Sequence, residues 1–290
     1  MTIEGLQPDR RRVIIQLVGL QRSGNHAVIG WLSSLFRSSE HLNDLPFDFF
    51  SHETNRAALM AREQIDCMVC SFEDSRRRGA SGALLEDVAF LRPEDFPGYD
   101  CHIVYVLRDP YNCWASRAKA HEDGAPLTSS PRLDQFLENW KQMAARASNS
   151  EATTVIFNRW FRDQAYRMAL CEVFGGSYSE ASLSDVPRNG GGSSFDGYRP
   201  SYGEILRNAG RYFSADFLKR LARNPARYFR KLSQPRPDGR ALNVESRWEY
   251  LLKKAHHRPI FHDVELRRHA FDIFGFYVDE RGRMVTGQGS

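Results

Sequence analysis

The chain has 290 residues, of which 41% are hydrophobic, 12% aromatic and 26% charged, a balance that fits a soluble globular protein and excludes a disordered or collagen-like one. That length can bury a sizeable core as one α/β domain with a cover segment. Forty Lys and Arg against 36 Asp and Glu leave a net charge of +4, and the basic residues, gathered at Arg10–Arg12, Arg76–Arg78 and Arg207–Arg240, do not interleave with aromatics in any nucleic-acid-binding motif.

The opening MTIEGLQPDRRR lacks the apolar core of a signal peptide, and no stretch approaches the ~20 apolar residues that span a bilayer. The five cysteines are odd in number and scattered, which predicts a reduced, cytoplasmic chain without a membrane anchor. Cys67 and Cys70 form a C-x-x-C within a strand-like run, but no second pair at zinc-site spacing follows. They are expected to be buried thiols, and no metal is expected.

In chain order, Val13–Gly19 (VIIQLVG) is a β-branched run ending in glycine, as in a strand buried on both faces of a parallel sheet. Ala27, Val28, Trp31, Leu32, Leu35 and Phe36 then recur at helical spacing. Further strands are predicted at Cys67–Phe72, His102–Leu107 and Thr153–Phe157, and amphipathic helices at Leu133–Ala147, Gln164–Phe174 and Val264–Phe276. From Ser177 the texture turns to glycine, serine and aromatics, followed by a basic aromatic helix at Phe213–Lys231. Residues 193–247 are therefore expected to cover a site, and residues 281–290 to form a frayed tail.

GLQRSGNH begins as a P-loop does: a glycine at a strand end, four residues, a second glycine, then a helix whose N-terminal amides can surround a phosphate. A nucleoside-triphosphatase loop would continue with Lys and Ser or Thr, but Asn25 and His26 stand there. Arg22 is the alternative source of fixed positive charge. The loop resembles the 5′-phosphosulfate loop of sulfotransferases that use 3′-phosphoadenosine 5′-phosphosulfate (PAPS), through Arg22, Ser23 and Gly24, and specifically a bacterial branch reading RSGNHA. Asn25 and His26 replace that family's threonine pair but can still donate hydrogen bonds.

HIVYVLRDPYNCWASR sets Arg108 at a strand end, Pro110 at a helix start and Ser116 eight residues after Arg108. It resembles the family's second anchor, in which such an Arg and Ser hold the 3′-phosphate. Two anion sites at separate strand ends suit a nucleoside with phosphates at both ends, lying outside the carboxyl ends of the strands. VIFNRWF, with Asn158 where Glu is common in the family, resembles the strand and helix that close its core. GGGSSFDG resembles the segment lining the adenine pocket, and Arg247 with Trp248 resembles a further feature of the RSGNHA branch. The resemblance thus implies cofactor contacts at Arg22, Ser23, Gly24, Asn25, His26, Ala27, Arg108, Ser116, Ser194 and Phe195.

It further implies a three-layer, P-loop-like α/β sandwich with a central parallel sheet. The implied reaction is transfer of the sulfuryl group from PAPS to a hydroxyl or amine of a small-molecule or saccharide acceptor, releasing 3′,5′-ADP, with Arg22 and His26 beside the transferred group. Glu73, at the end of the strand between the two loops, is the expected base, with His26, His41, Asp44, His52 and Glu53 as rivals. A non-catalytic binder of PAPS or 3′,5′-ADP is the alternative, and a P-loop kinase a more distant one.

Overall fold

A computed structural model describes residues 12–74, 84–122, 132–149, 152–178 and 246–287. These belong to one compact unit, residues 1–190 with 244–290; residues 191–243 form a second unit. The expected cover, the basic helix at Phe213–Lys231, and Ser194 and Phe195 lie outside the described residues.

Five parallel strands form the centre in the order β2-β3-β1-β4-β5. They are β1 (Arg12–Gly19), β2 (Ser39–Leu42), β3 (Cys67–Glu73), β4 (Tyr99–Leu107) and β5 (Thr153–Ile156). Consecutive side chains of a strand point to opposite faces. Ile14, Ile15, Leu17 and Val18 are all at 0% exposure, so both faces of β1 are covered and the architecture has three layers. Gln16, buried in the same strand, is satisfied by backbone: its amide nitrogen donates to Ala89 O at 2.9 Å and its oxygen accepts from Leu91 N at 2.7 Å.

Helices α1 (Asn25–Ser34), α2 (Glu53–Met60), α3 (Leu84–Asp87), α4 (Pro110–Glu122), α5 (Leu133–Asn149), α6 (Phe157–Arg162) and α7 (Gln164–Phe174) alternate with the strands. The connections from β1 run toward β3 and β2, and those from β4 run the other way, so the sheet's switch point lies between β1 and β4. Gly19 pairs with Glu73 on one side and Val106 on the other, bringing the ends of β1, β3 and β4 to one level. Among the described residues no helix is long and apolar enough to cross a membrane.

Several expectations shift. β2, with the polar sequence SEHL, pairs only with β3 and has no apolar run to betray it. β5 ends at Ile156, and Phe157 opens a helix. The last long helix, α10 (Val264–Phe274), stops at Gly275 in the left-handed region, after the short helices α8 (Glu249–Leu252) and α9 (Pro259–His262). The expected frayed tail contains a strand: β6 (Phe276–Val278) and β7 (Met284–Thr286) form an antiparallel hairpin. Its turn is built by Asp279, whose carboxylate accepts from Arg281 N at 3.0 Å and Arg283 N at 2.8 Å, and by Gly282 at φ 77°.

Gly24 occupies the N-cap of α1 at φ 99°, and a Cβ there would lie 2.2 Å from the Phe157 ring. Conformation and close approach both demand glycine. Gly24→Ala is expected to lower stability by about 3 kcal/mol, the sum of a left-handed L-residue and an overpacked contact, measured by urea denaturation.

Candidate active site

The loop between β1 and α1 is folded on its own side chains. Ser23 N donates to Leu20 O at 3.1 Å, and the Ser23 hydroxyl is shared between Leu20 O at 2.7 Å and Asn25 Oδ1 at 2.8 Å. Asn25 Nδ2 donates to Leu20 O at 3.2 Å and to Glu73 Oε1 at 2.9 Å. The expectation that the Asn25 side chain reaches outward to an anion is therefore not met: buried at 3% exposure, it braces the loop and holds Glu73. Ala27 N is likewise engaged, donating to Gly24 O at 3.0 Å. The N–H groups of Gly24, Asn25 and His26 have no backbone acceptor among the described residues, and α1 has no side-chain cap. Those first-turn amides carry the positive end of the helix dipole.

Arg22 sits at φ 72°, a sparsely populated region for a residue with a side chain. Burial pulls its guanidinium below its ordinary value, and the nearby Glu73 carboxylate opposes that shift. The Arg22 carbonyl accepts from a terminal nitrogen of Arg108 at 3.2 Å, so the two arginines singled out in the sequence, 86 positions apart, meet directly.

Arg108 follows β4 and is only 4% exposed. Its guanidinium lies 5.4 Å from the centre of the Phe157 ring, the same ring that presses on Gly24. Its Nε and second terminal nitrogen find no acceptor among the described residues. A buried guanidinium left with orphan donors is costly, and a bound anion would satisfy it. Trp140 Nε1 donates to Arg108 O at 2.8 Å and fixes the backbone there.

Asp109 does not pair with Arg108. It caps α4 by accepting from Asn112 N at 2.8 Å, while Asn158 clamps it twice, donating to Asp109 Oδ2 at 2.8 Å and accepting from Asp109 N at 3.1 Å. Ser116 is buried on α4, two turns beyond Pro110. Trp248 N donates to Asn112 Oδ1 at 3.2 Å, and both Arg247 and Trp248 are buried, so the chain after residue 245 packs against the helix that carries Ser116.

Asp74 was not picked out by sequence reasoning as a site-builder. Buried just beyond β3, it accepts from Gln21 N at 2.7 Å and forms a tight ion pair with Arg117 of α4. Glu73 retains some solvent access, yet its carboxylate is ringed by protein. Burial pushes its carboxyl up to about 7; Asn25's hydrogen bond opposes that, Asp74 and Asp44 add to it, and Arg117 opposes it weakly.

The rival bases are placed differently. His41 bonds through Nε2 to Ser71 Oγ at 2.9 Å and lies 6.0 Å from His26, ring centre to ring centre. Burial, and then His26, pushes His41 down to about 4. Burial and Arg22 lower His26, with Asp44 opposing. Asp44, at φ 51°, donates its N–H to Ser71 Oγ at 3.1 Å. His52 is exposed and pairs with Asp48 at 3.0 Å, and Glu53 is exposed at the start of α2.

Among the described residues, Glu122, His256 and His257 bring donor atoms within 4.8 Å of one another. Trp114 Nε1 donates to His257 Nδ1 at 3.3 Å, which leaves the proton on Nε2, and Lys254 and Tyr250 already engage Glu122. That tautomer and that cation disfavour a metal ion there. All five thiols are free, and burial pushes Cys70 up to about 12.

No protein-family model matches the chain, and no curated protein matches it. Solved structures resemble it loosely. A mouse sulfotransferase, SULT7A1, complexed with PAP has a TM-score of 0.41 and 12% identity, covering 77% of this chain and 86% of that one. Retinol dehydratase in complex with androsterone and the inactive cofactor PAP has a TM-score of 0.35 and 13% identity, over 81% and 83%. The sulfotransferase domain of the Synechococcus PCC 7002 olefin synthase has a TM-score of 0.33 and 12% identity, over 85% and 98%. At these scores no residue role passes from those proteins to this chain.

Asp74→Ala would strand Arg117 in the interior and free Gln21 N. The expected loss is about 3–5 kcal/mol of stability, read from equilibrium unfolding, because one partner of a buried ion pair is removed.

Proposed function

We propose that this chain transfers the sulfuryl group of PAPS to a small-molecule or saccharide acceptor and releases 3′,5′-ADP. The observation that carries the reading is the contact between Arg108 and the Arg22 carbonyl, with guanidinium nitrogens on Arg108 that find no acceptor among the described residues and Glu73 held at the adjoining strand end. Two adjacent positive sites with a carboxylate beside them suit a doubly phosphorylated nucleoside that gives up a group to a protic acceptor.

In this reading the N–H groups of Gly24, Asn25 and His26, with Arg22, hold the 5′-phosphosulfate, while Arg108 and Ser116 hold the 3′-phosphate. Ser194 and Phe195 would border the adenine, as the family resemblance implies. The acceptor oxygen or nitrogen attacks sulfur in line. The bond from sulfur to the phosphate oxygen breaks, and the charge gathering on that oxygen is met by Arg22 and the helix amides. Glu73 takes the acceptor's proton. The rivals suit that task less: burial leaves His41 a weak base at about 4, and His52 and Glu53 stand exposed beside α2. Five free thiols fit a cytoplasmic setting.

Isothermal titration with 3′,5′-ADP tests the donor site: Arg108→Ala is expected to weaken binding at least 100-fold, a loss in keeping with a buried charge-assisted pair. Binding unchanged in that variant would overturn the donor assignment. Glu73→Gln should keep 3′,5′-ADP binding and lower turnover of PAPS by about 10²- to 10⁴-fold, whereas a non-catalytic binder would show no turnover in either form. A base must be ionised, and Glu73 is pushed up to about 7. Turnover is therefore expected to fall as pH drops through that value, read from a kcat profile.

A further inference from the structure

Asn25 stands where a nucleoside-triphosphatase loop places its lysine, yet its amide faces inward, and every polar atom of that amide is engaged. Oδ1 accepts from the Ser23 hydroxyl at 2.8 Å, and Nδ2 donates to Leu20 O at 3.2 Å and Glu73 Oε1 at 2.9 Å. The amide's direction is set by chemistry: Leu20 O and a carboxylate oxygen only accept, so the nitrogen must face them. Space for this side chain comes from Gly19 at the end of β1, where a Cβ would fall 2.1 Å from Asn25 Oδ1. The Gly19–Glu73 register then sets the carboxylate within reach. A lysine at position 25 would place a point charge where this loop places a two-way connector.

We propose that Asn25 is a positioning residue, tying the anion loop to the Glu73 carboxylate and holding that carboxylate in the orientation from which it takes the acceptor's proton. The last part rests on the reading of Glu73 as base; the tie itself does not. A carboxylate with one oxygen on Asn25 keeps its other oxygen for the acceptor, and the same helix turn that offers its N–H groups to the donor carries the group that orients the base. Loading the loop and aligning the base thus become properties of one turn of chain.

Among the described residues the charged groups facing Glu73 are Arg22 on the loop, Asp44 after β2, Asp74 beyond β3 and Arg117 on α4. None of them is altered by substituting Asn25, so a change in Glu73's titration reports the lost amide. The test is carbon-13 NMR of the protein labelled at glutamate side-chain carboxyls, with Glu73→Gln assigning the resonance. Asn25→Ala removes a donor that favours the ionised form, so the Glu73 midpoint should rise by about one pH unit, the worth of one hydrogen bond to a charged group. Ser23→Ala, which frees the amide oxygen while leaving the backbone donors intact, should move it in the same direction by less, and it keeps the test available if Asn25→Ala does not fold. Midpoints that stay put in the folded variants overturn the tie, even if Glu73 proves to be the base. Raised midpoints in a protein that never turns over PAPS support the tie and overturn the base.

Discussion

The Asp74 carboxylate is the contact on which the arrangement of the site depends. It is buried at the end of β3 and grips two things at once, the Gln21 N–H at the start of the anion loop and the Arg117 guanidinium on α4. Removing two charges from water is unfavourable, and further hydrogen bonds to the buried groups offset part of that cost. Here the second oxygen is used on a backbone amide, so the ion pair also dictates where the loop begins. Cys113 Sγ, 3.8 Å from Gln21 O, and Arg108, bonded to Arg22 O, pin the same loop to the same side. Loop, β3 and α4 are thus tied together by side-chain contacts at one end of the sheet.

Phe157 completes those contacts. Its ring fills the space left by the missing side chain of Gly24 and lies under the Arg108 guanidinium. The cation is thereby kept close to a face of negative quadrupole, while its Nε and second terminal nitrogen find no acceptor among the described residues. A site of this kind stores an unfavourable solvation state that a multiply charged anion relieves, and the relief is larger for a phosphate, with several acceptor oxygens, than for a single carboxylate.

How much of this is legible in the chain follows from burial. β1, β3 and the second half of β4, Val104–Leu107, are covered on both faces, so they read as largely apolar runs that pattern analysis finds. β2 lies at the edge, with polar half-buried residues, and no pattern in SEHL separates it from a loop. The hairpin of β6 and β7 is too short for periodicity, and Asp279 and Gly282 are its only local signal. Within the site, Arg22, Glu73 and Arg108 stand out because strand ends and glycines mark their positions. Asp74, Asn158 and Phe157 do not. Their partners, Arg117, Asp109 and Gly24, are brought near only by the strand order.

Two opposed effects meet at Glu73. Burial beside Asp44 and Asp74 favours the protonated form, whereas the Asn25 amide and Arg117 favour the ionised one. Burial alone would leave a carboxylic acid that holds its proton at neutral pH and cannot accept another; hydrogen bonding alone would leave a carboxylate too weakly basic to remove one. With burial the larger effect and the amide the chief restraint, the group is brought to about 7, where an ionised fraction and useful basicity coexist. His41, on β2, meets burial without any such restraint. Its neighbour is another histidine, and Ser71 can bond to it in its neutral form. Burial favours the neutral form of both groups, and what separates them is that a fixed partner, the Asn25 amide, recognises the charged form of Glu73, whereas the neighbour acting on His41 is another histidine.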